Sequence, residues 1–407
     1  MSTPQAPETL HTRCCIVGGG PAGIMLGYLL ARQGIDVLVL EKHADFLRDF
    51  RGDTIHPSTL ELMNELGLLD EFLSRPHQEV ETVSLKVGDT LLKLGDFSHL
   101  PTRCKFIVFM PQWDFLDFLV GHARSYPGFH LRMRAEAVDL IEEGGRIAGV
   151  RVTTPEGPLA VKSDLVVAAD GRRSILREKA GLPVRDIGAP MDVLWLRVSK
   201  RPDDPDNLLG HIEAGRMLVM IDRGDYWQCA YLIPKGTFES VRAEGLAAFR
   251  RNLAGLAPFL GERVEEVRTW DEIRLLTVTV DRLEQWSRPG LLCIGDSAHA
   301  MSPIGGVGIN LAIQDSVATA NLLGPFLRQG YVEPEKVALV QKRRELPTRL
   351  TQGMQVLIQK RLIDPVLRRS AGPVSAPWFI RVMARSPWLR RIPARLIGLG
   401  FRPEHVR

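Results

Sequence analysis

Residues 13–41 read RCCIVGGGPAGIMLGYLLARQGIDVLVLE, and these consecutive residues specify a β-α-β unit. A short apolar strand over residues 14–17 runs into Gly18-x-Gly20-Pro21-Ala22-Gly23. Apolar Ile24, Leu26, Leu29 and Leu30 mark a helix that stops at Gly34, and a second strand over residues 35–40 ends on the acid Glu41, followed by Lys42. Each part has a physical task. Gly18 permits a tight turn, Gly20 lets the backbone approach a pyrophosphate, and Gly23 allows helix and strand to pack closely. The helix N-terminus faces the phosphate charge. Glu41 falls where a ribose hydroxyl needs an acceptor. Glycine-rich turns are common, but strand, helix, second strand and acid in register read together as a cradle for an adenine dinucleotide.

The 407 residues exceed what one core ordinarily serves, so two closely joined domains are expected. With 45% hydrophobic and 25% charged residues the composition is that of a soluble globular protein. A net charge of +4 is too small to indicate nucleic acid as a partner. The charge is uneven: residues 351–407 hold eleven Lys/Arg against two Asp/Glu, or +9, which leaves −5 for residues 1–350. Cys14, Cys15, Cys104, Cys229 and Cys293 are scattered without metal-type spacing. They read as buried free thiols suited to a reducing cytoplasm, and no metal site is expected. MSTPQAPETL at the start lacks the regions of a signal peptide, and no apolar run reaches the roughly 18 residues of a spanning helix.

Further along, residues 42–57 form a loop and a helix follows with Leu60, Leu62, Met63 and Leu66 at helical spacing. Residues 79–110 alternate in strand fashion, Gln112 opens a helix, and strands return to an apolar run at 165–169 before Asp170-Gly171. Residues 184–286 read as β-rich (VLWLRV, MLVMID, YWQCAYLIP, IRLLTVTV), and a strand at 291–294 leads into Gly295-Asp296. From Leu311 the chain looks helical to its end, broken by Pro347, Pro365, Pro377, Pro387 and Pro393. The expected organisation is a first nucleotide-binding segment at 1–78, substrate-domain strands at 79–110, a second nucleotide-binding segment at 111–183, a β-rich substrate domain at 184–286, a third nucleotide-binding segment at 287–330 and a helical region at 331–407.

Acids at strand-to-loop junctions recur at Glu41, Asp170-Gly171 and Gly295-Asp296. Singly, such dipeptides mark turns. Their contexts, DLVVAADGRRSILREKAGL and GLLCIGDSAHAMSPIGGVGINLAIQDSVATANLL, are longer. With the first fingerprint, the set resembles in order and spacing the single-component (group A) FAD-dependent aromatic monooxygenases, the family of p-hydroxybenzoate hydroxylase and the ubiquinone-biosynthesis hydroxylases. The resemblance covers residues 13–330. It implies an α/β fold: a Rossmann-like FAD-binding domain of the glutathione-reductase type, a β-sheet substrate domain and a helical C-terminal region. It also implies residue roles. Asp296 accepts from a ribityl hydroxyl of FAD, and Pro303, Gly305, Gly306 and Gly308 form a loop whose amides approach the flavin ring. The helix beginning at Gly308, Ile309 and Asn310 directs its positive end at the pyrimidine side, an effect of ~0.3–2 kcal/mol at helix termini. Arg51 and Gln112 stand where the family contacts the cofactor, and Asp170, Gly171, Ser174 and Arg177 match a segment linked to FAD and nicotinamide binding. Plainer readings stand beside these: a solvated loop arginine at 51, a helix cap at Gln112, and a helix-surface charge at Arg177.

The implied activity is hydroxylation, or epoxidation, of a hydrophobic aromatic or polycyclic small molecule. FAD stays bound, NADPH or NADH visits as reductant, and molecular oxygen reacts through a flavin hydroperoxide. His56 and Asp53, in RGDTIHP, are candidate substrate bases, since an imidazole with an ordinary pKa near ~6.5 can take a phenolic proton. Both can equally order the loop before Pro57, and His299 reads as support for its own loop. An FAD-dependent reductase of the same fold is the alternative, followed by a non-catalytic flavoprotein. A halogenase would need a WxWxIP element, and residues 229–234, CAYLIP, lack both tryptophans. In APWFIRVMARSPWLRRIPAR (376–395), aromatic residues interleave with arginines. This stretch can lie weakly at a membrane surface or pack its aromatics onto the body.

Overall fold

The first strand, Glu8–Val17, extends well upstream of the apolar residues that announce it. It does so because it pairs in parallel with Gly157–Ala168 from Glu8 opposite Leu159 through to Val17 opposite Ala168. Only its last four residues are fully buried, which is the part the sequence marks. The computed structural model of the chain describes residues 8–47, 54–88, 90–205, 210–369, 372 and 376–407.

Around that strand runs the main sheet, in the order Ser287–Arg288, Leu291–Cys293, Gly157–Ala168, Glu8–Val17, Val37–Leu40, Phe129–Arg132. The inner pairings are parallel. Arg146–Thr154 and Glu136–Glu143 add an antiparallel flank to Gly157–Ala168. Helix Pro21–Arg32 packs between Gly308–Gln329 and Gln112–Ala123. Its residues from Ala22 to Ala31 are buried almost without exception, so this helix is held by packing on all sides. The ends of the parallel strands therefore meet the starts of Pro21–Arg32 and of the Gly295 turn, the usual place for a ligand in an open α/β sheet.

A second, seven-stranded sheet runs Arg274–Leu276, Met191–Ser199, Tyr226–Pro234, Arg216–Asp222, Gly210–Glu213, Thr82–Val87, Thr90–Asp96. Strands distant in sequence thus share one sheet. Its outer face (Leu194, Leu196, Leu218, Met220, Cys229, Tyr231) is covered by Phe249, Leu253 and Leu256 of helix Leu246–Leu256. The β-rich reading of 184–286 does not mark this helix or Phe238–Ala243 before it. The spacing of Phe249, Leu253 and Leu256 is helical, and the sheet face they cover gives the helix its stability. The inner face, with Val193, Trp195, Met217, Val219, Ala230 and Leu232, clusters with Ile304, Ile363 and Leu367.

The chain continues through Gly308–Gln329, Pro334–Ile358, a π turn at Gln359–Ile363 and Asp364–Leu367, then Trp378–Arg385 and Pro387–Gly398. Pro347 and Pro393 were expected to break helices, yet each lies inside one. An interior proline costs about 3 kcal/mol, and the buried neighbours Arg344, Thr348 and Thr351, and Ala394, hold these turns in place. Residues 399–407 are not helical. They return to the body, where Asn321 Nδ2 donates to the His405 carbonyl at 2.7 Å. All five cysteines are buried and free. Among the described residues no helix is long and apolar enough to cross a membrane.

Candidate functional site

The cradle keeps its glycines for two different reasons. Gly18 has φ +113°, and a Cβ there would stand 2.3 Å from the Ala169 carbonyl oxygen. A Cβ on Gly23 would fall 1.9 Å from the Gly18 carbonyl oxygen. Both positions are forced by packing. Gly20 is not: a Cβ there would meet nothing within 4 Å. Its lack of a side chain leaves open space at the start of helix Pro21–Arg32, where Pro21 occupies the first turn without wasting a donor. Ala22 packs this turn against the third motif, its Cβ 3.2 Å from where Gly295 would carry one. Glu41 closes the loop, with Oε2 accepting from the Gly19 amide at 2.9 Å and Oε1 from the His43 amide at 3.0 Å. Lys42 is exposed beside it.

Strand Gly157–Ala168 delivers Asp170 and Gly171. Asp170 Oδ2 accepts from the Leu176 amide at 3.4 Å, while Oδ1 is buried without a hydrogen bond. Burial raises the carboxyl pKa, opposed by hydrogen bonds from Ser174 and nearby amides. Ser174 caps helix Ile175–Lys179 by accepting from the Arg177 amide at 3.1 Å. The Arg177 guanidinium turns inward. It reaches both carboxylate oxygens of Asp281 at 3.3 and 3.0 Å and the carbonyls of Arg172 and Ser297 at 2.7 and 3.4 Å. The guanidinium thus clamps the second motif to the third. Asp296, on the turn Gly295–Ser297, pairs with Arg172 at 3.2 Å, and about a third of each side chain is exposed.

Pro303 leads into the tight turn Ile304–Gly306, and Gly308 starts the long helix. Gly306 has φ +62°, and a Cβ there would lie 2.1 Å from Thr54 Oγ, which donates to the Gly306 carbonyl at 3.1 Å. Asn310 completes the junction. Its Nδ2 donates to the carbonyls of Thr54 and Gly306 at 3.0 and 3.3 Å, and its Oδ1 accepts from the His56 amide at 2.8 Å and Thr59 Oγ at 2.7 Å. With the side chain so engaged, the free donors that a helix start offers are left to the backbone amides of its first turn, from Gly308 to Asn310. Gln112 is half-buried at the start of its helix, shortly after Ile107–Phe109, which pairs with Thr54–Ile55. Arg51 and Asp53 lie outside the described residues.

His56 is fully buried. Its Nδ1 bonds the Ile397 carbonyl at 2.7 Å and its Nε2 has no hydrogen bond. Burial pushes its pKa down to about 4 against the opposing pull of the Ile397 and Gly305 carbonyls. The ring is therefore neutral near pH 7 and shielded. This is the environment of a group that positions its neighbours, in place of the proton acceptor expected from the loop sequence.

A buried charge network behind these motifs escapes sequence reading. Asp315 Oδ2 accepts from His299 Nε2 at 2.6 Å and from the Gly295 amide at 3.1 Å, and Oδ1 takes Arg344 Nε at 3.0 Å. Arg344 Nη1 continues to Glu404 at 3.4 Å, and Arg343 Nε to the same carboxylate at 2.6 Å. Burial works to raise the Asp315 pKa, but the charges and hydrogen bonds of His299 and Arg344 outweigh it and hold the carboxyl low. The signal available in the sequence was an acid in the apolar run LAIQDSVATA, where an unpaired charge would be too costly.

The residues fit FAD. Open space faces Gly20, an unbonded carboxylate oxygen waits at Asp170, and a helix start lies at 308–310, all on segments packed against one another. The FAD binding domain profile matches residues 11–351. A 6-methylpretetramide 4-monooxygenase of Streptomyces rimosus is 31% identical over 99% of this chain and 96% of its own length. The chain belongs to the FAD-dependent aromatic monooxygenases. As a member of that family it takes FAD as cofactor and NAD(P)H as reductant. Solved structures share the fold: OxyS anhydrotetracycline hydroxylase from Streptomyces rimosus (TM-score 0.72, 24% identity, 96% of this chain and 76% of that one) and PqsL from P. aeruginosa (TM-score 0.76, 21% identity, 87% and 97%). A 12-dehydrotetracycline 5-monooxygenase/anhydrotetracycline 6-monooxygenase of Streptomyces rimosus is longer, the match spanning 64% of it at 29% identity.

Proposed function

We propose that this monooxygenase adds one oxygen atom to a hydrophobic polycyclic aromatic small molecule bound between the flavin loop and the inner face of the seven-stranded sheet. When bound, FAD supplies hydride acceptance from NAD(P)H and the activation of molecular oxygen. One observation carries the substrate class: Val193, Trp195, Met217, Val219, Ala230 and Leu232 form an apolar face that clusters with Ile304 of the flavin loop. Such a wall holds a flat apolar ring system and keeps water from the reacting centre. The 6-methylpretetramide named for the similar Streptomyces rimosus enzyme supports the same class.

In this reading the cradle residues Gly18 to Gly23, with Glu41 and Lys42, hold the adenosine and pyrophosphate end. Asp170, Gly171 and Asp296 serve the ribityl region. Pro303, Gly306 and the amides of Gly308, Ile309 and Asn310 border the ring, with Gln112 at its edge. Arg177 shapes the loop through Asp281, and His56 positions the ring-bordering loop. A single cradle supports a nicotinamide cofactor that binds only in passing. The test is a screen of phenolic and polycyclic aromatic compounds for stimulated NAD(P)H oxidation, with matching oxygen uptake and products heavier by one oxygen atom. Stimulated oxidation that proceeds equally without oxygen would assign the chain to the reductases instead.

The C-terminal helices support a weak contact with an anionic membrane surface. Trp378 and Trp388 are 70% and 75% exposed, Ile392 is 56% exposed, and the Arg391 guanidinium lies 4.5 Å from the Trp388 ring centre. Aromatic and basic groups on one exposed face suit an interfacial helix. Co-sedimentation with phosphatidylserine vesicles should fall in a Trp378→Ser/Trp388→Ser variant; equal partitioning would remove the idea.

A further inference from the structure

The inner side of the last helix has a different role. Pro387–Gly398 lies against strand Thr90–Asp96, and its approach is close: a Cβ on Gly398 would stand 2.9 Å from Leu100 Cδ1 and 3.2 Å from the Phe97 ring. Ala394, one turn earlier, is fully buried in the cluster formed by Phe97, Ile107, Phe109 and Ile221. Ile397 and Trp195 both pack against that cluster, and Trp195 also packs against the inner sheet face that gathers Ile304. On its other side, Ile397 Cγ1 and Cδ1 stand 3.9 Å from the Cβ position of Gly305, in the flavin loop. Its carbonyl receives His56 Nδ1 at 2.7 Å. Three elements far apart in sequence thus converge on one residue, two on its side chain and one on its backbone carbonyl.

We propose that Ile397 is a specificity-determining residue of the oxygenation site, and that His56 is a positioning residue that holds it there. The inference rests on the substrate site proposed above. Ile397 forms the outer wall between the flavin loop and the sheet face, so its size sets how wide a ring system fits. His56 acts through the carbonyl of Ile397: the neutral imidazole donates its Nδ1 proton and fixes the end of the helix against the loop. A cavity of about 30 Å³, bordered by Ile397 with Ser58, Asn310, Gln314 and Arg344, leaves local room for the wall to adjust.

The experiment compares wild type with Ile397→Val and Ile397→Ala in kcat/KM for a tetracyclic and a monocyclic phenol. One methylene in an apolar pocket discriminates by roughly 10-fold or more. The Ala variant should therefore shift the tetracycle-to-monocycle ratio at least about 10-fold toward the larger compound, with Val between. A second readout needs no substrate: iodide should quench the fluorescence of bound FAD more strongly in the Ala variant. For the positioning role, His56→Leu should move both readouts as Ile397→Ala does. His56→Asn, whose Nδ2 can still donate to the Ile397 carbonyl, should restore both. Ratios within about twofold of wild type together with unchanged iodide quenching, at equal FAD content, overturn the inference. Failure of His56→Asn to differ from His56→Leu overturns the positioning role. If wild type turns over none of the compounds with oxygen, the substrate reading fails, and iodide quenching still decides where Ile397 stands. Should Ile397→Ala lose FAD, Ile397→Val and the volume-conserving Ile397→Met carry the same comparison.

Discussion

Replacing Asp315 with alanine is the sharpest test of how the third motif is held. Asp315 is fully buried and serves three donors: His299 Nε2 at 2.6 Å, the Gly295 amide at 3.1 Å and Arg344 Nε at 3.0 Å. Without it, Arg344, which is 1% exposed, keeps only the more distant Glu404 at 3.4 Å and the Arg402 carbonyl at 3.3 Å. Breaking a buried ion pair by removing one partner costs about 3–5 kcal/mol. The surviving Glu404 places this case near the lower end, about 3 kcal/mol. The Gly295 amide, left without its acceptor, adds about 1 kcal/mol or more. The expected loss of about 4 kcal/mol is a large part of the roughly 5–15 kcal/mol that holds a domain. Urea unfolding at fixed, saturating FAD measures it. Trp286, whose ring centre is 4.9 Å from that of His299, reports the change locally. A loss under about 1 kcal/mol would refute the argument. So would failure of Asp315→Leu/Arg344→Met to recover most of the stability, because an apolar replacement of a buried ion pair is commonly neutral or stabilising and Glu404 retains Arg343 at 2.6 Å.

Three further variants test the cradle and the loop beside it. Gly20→Ala should fold normally and bind FAD at least about 10-fold more weakly, a difference of 1.4 kcal/mol, because its Cβ meets no protein atom. Gly18→Ala should lower the stability of the FAD-free protein itself, because its Cβ would collide with the Ala169 carbonyl at 2.3 Å. FAD titration and thermal melting distinguish the two, and equal melting points for the FAD-free variants would contradict this account. His56 has its pKa depressed to about 4 by burial, so the unfolded chain binds its proton first as pH falls. Its contribution is therefore full above the ordinary value near ~6.5 and is lost progressively between there and about pH 4. The sum is about 3 kcal/mol at ~1.4 kcal/mol per pKa unit. Stability curves over that window should be flatter in His56→Asn than in wild type; parallel curves would mean that His56 is not the titrating group.

Several candidate residues were legible because the demands on them are local. Gly18, Gly20 and Gly23 answer backbone demands made by residues a few positions away, and the strand–helix–strand pattern around them follows from apolar spacing. Asp170 and Asp296 could be found because each ends a buried strand. Asn310 and Arg177 show the limit. Both were singled out, but their side chains are engaged by Thr54, His56 and Thr59 in one case and by Asp281 in the other. Sequence spacing marks an important polar residue without naming its partner. The helix Leu246–Leu256 was hidden for a related reason: its amphipathic face has meaning only once the sheet beneath it exists.

Read alone, the 407 residues determined the cradle at 18–41, the family to which it belongs and therefore the cofactor, because these depend on short-range geometry that spacing encodes. The folded chain decided which distant groups meet. It brought His56 to Ile397 across 341 residues and Arg344 to Glu404 across 60. It packed the last helix against strand Thr90–Asp96 and buried His56 deeply enough to make it neutral. Such contacts depend on burial and on strands and helices packing side by side, and no local pattern records them.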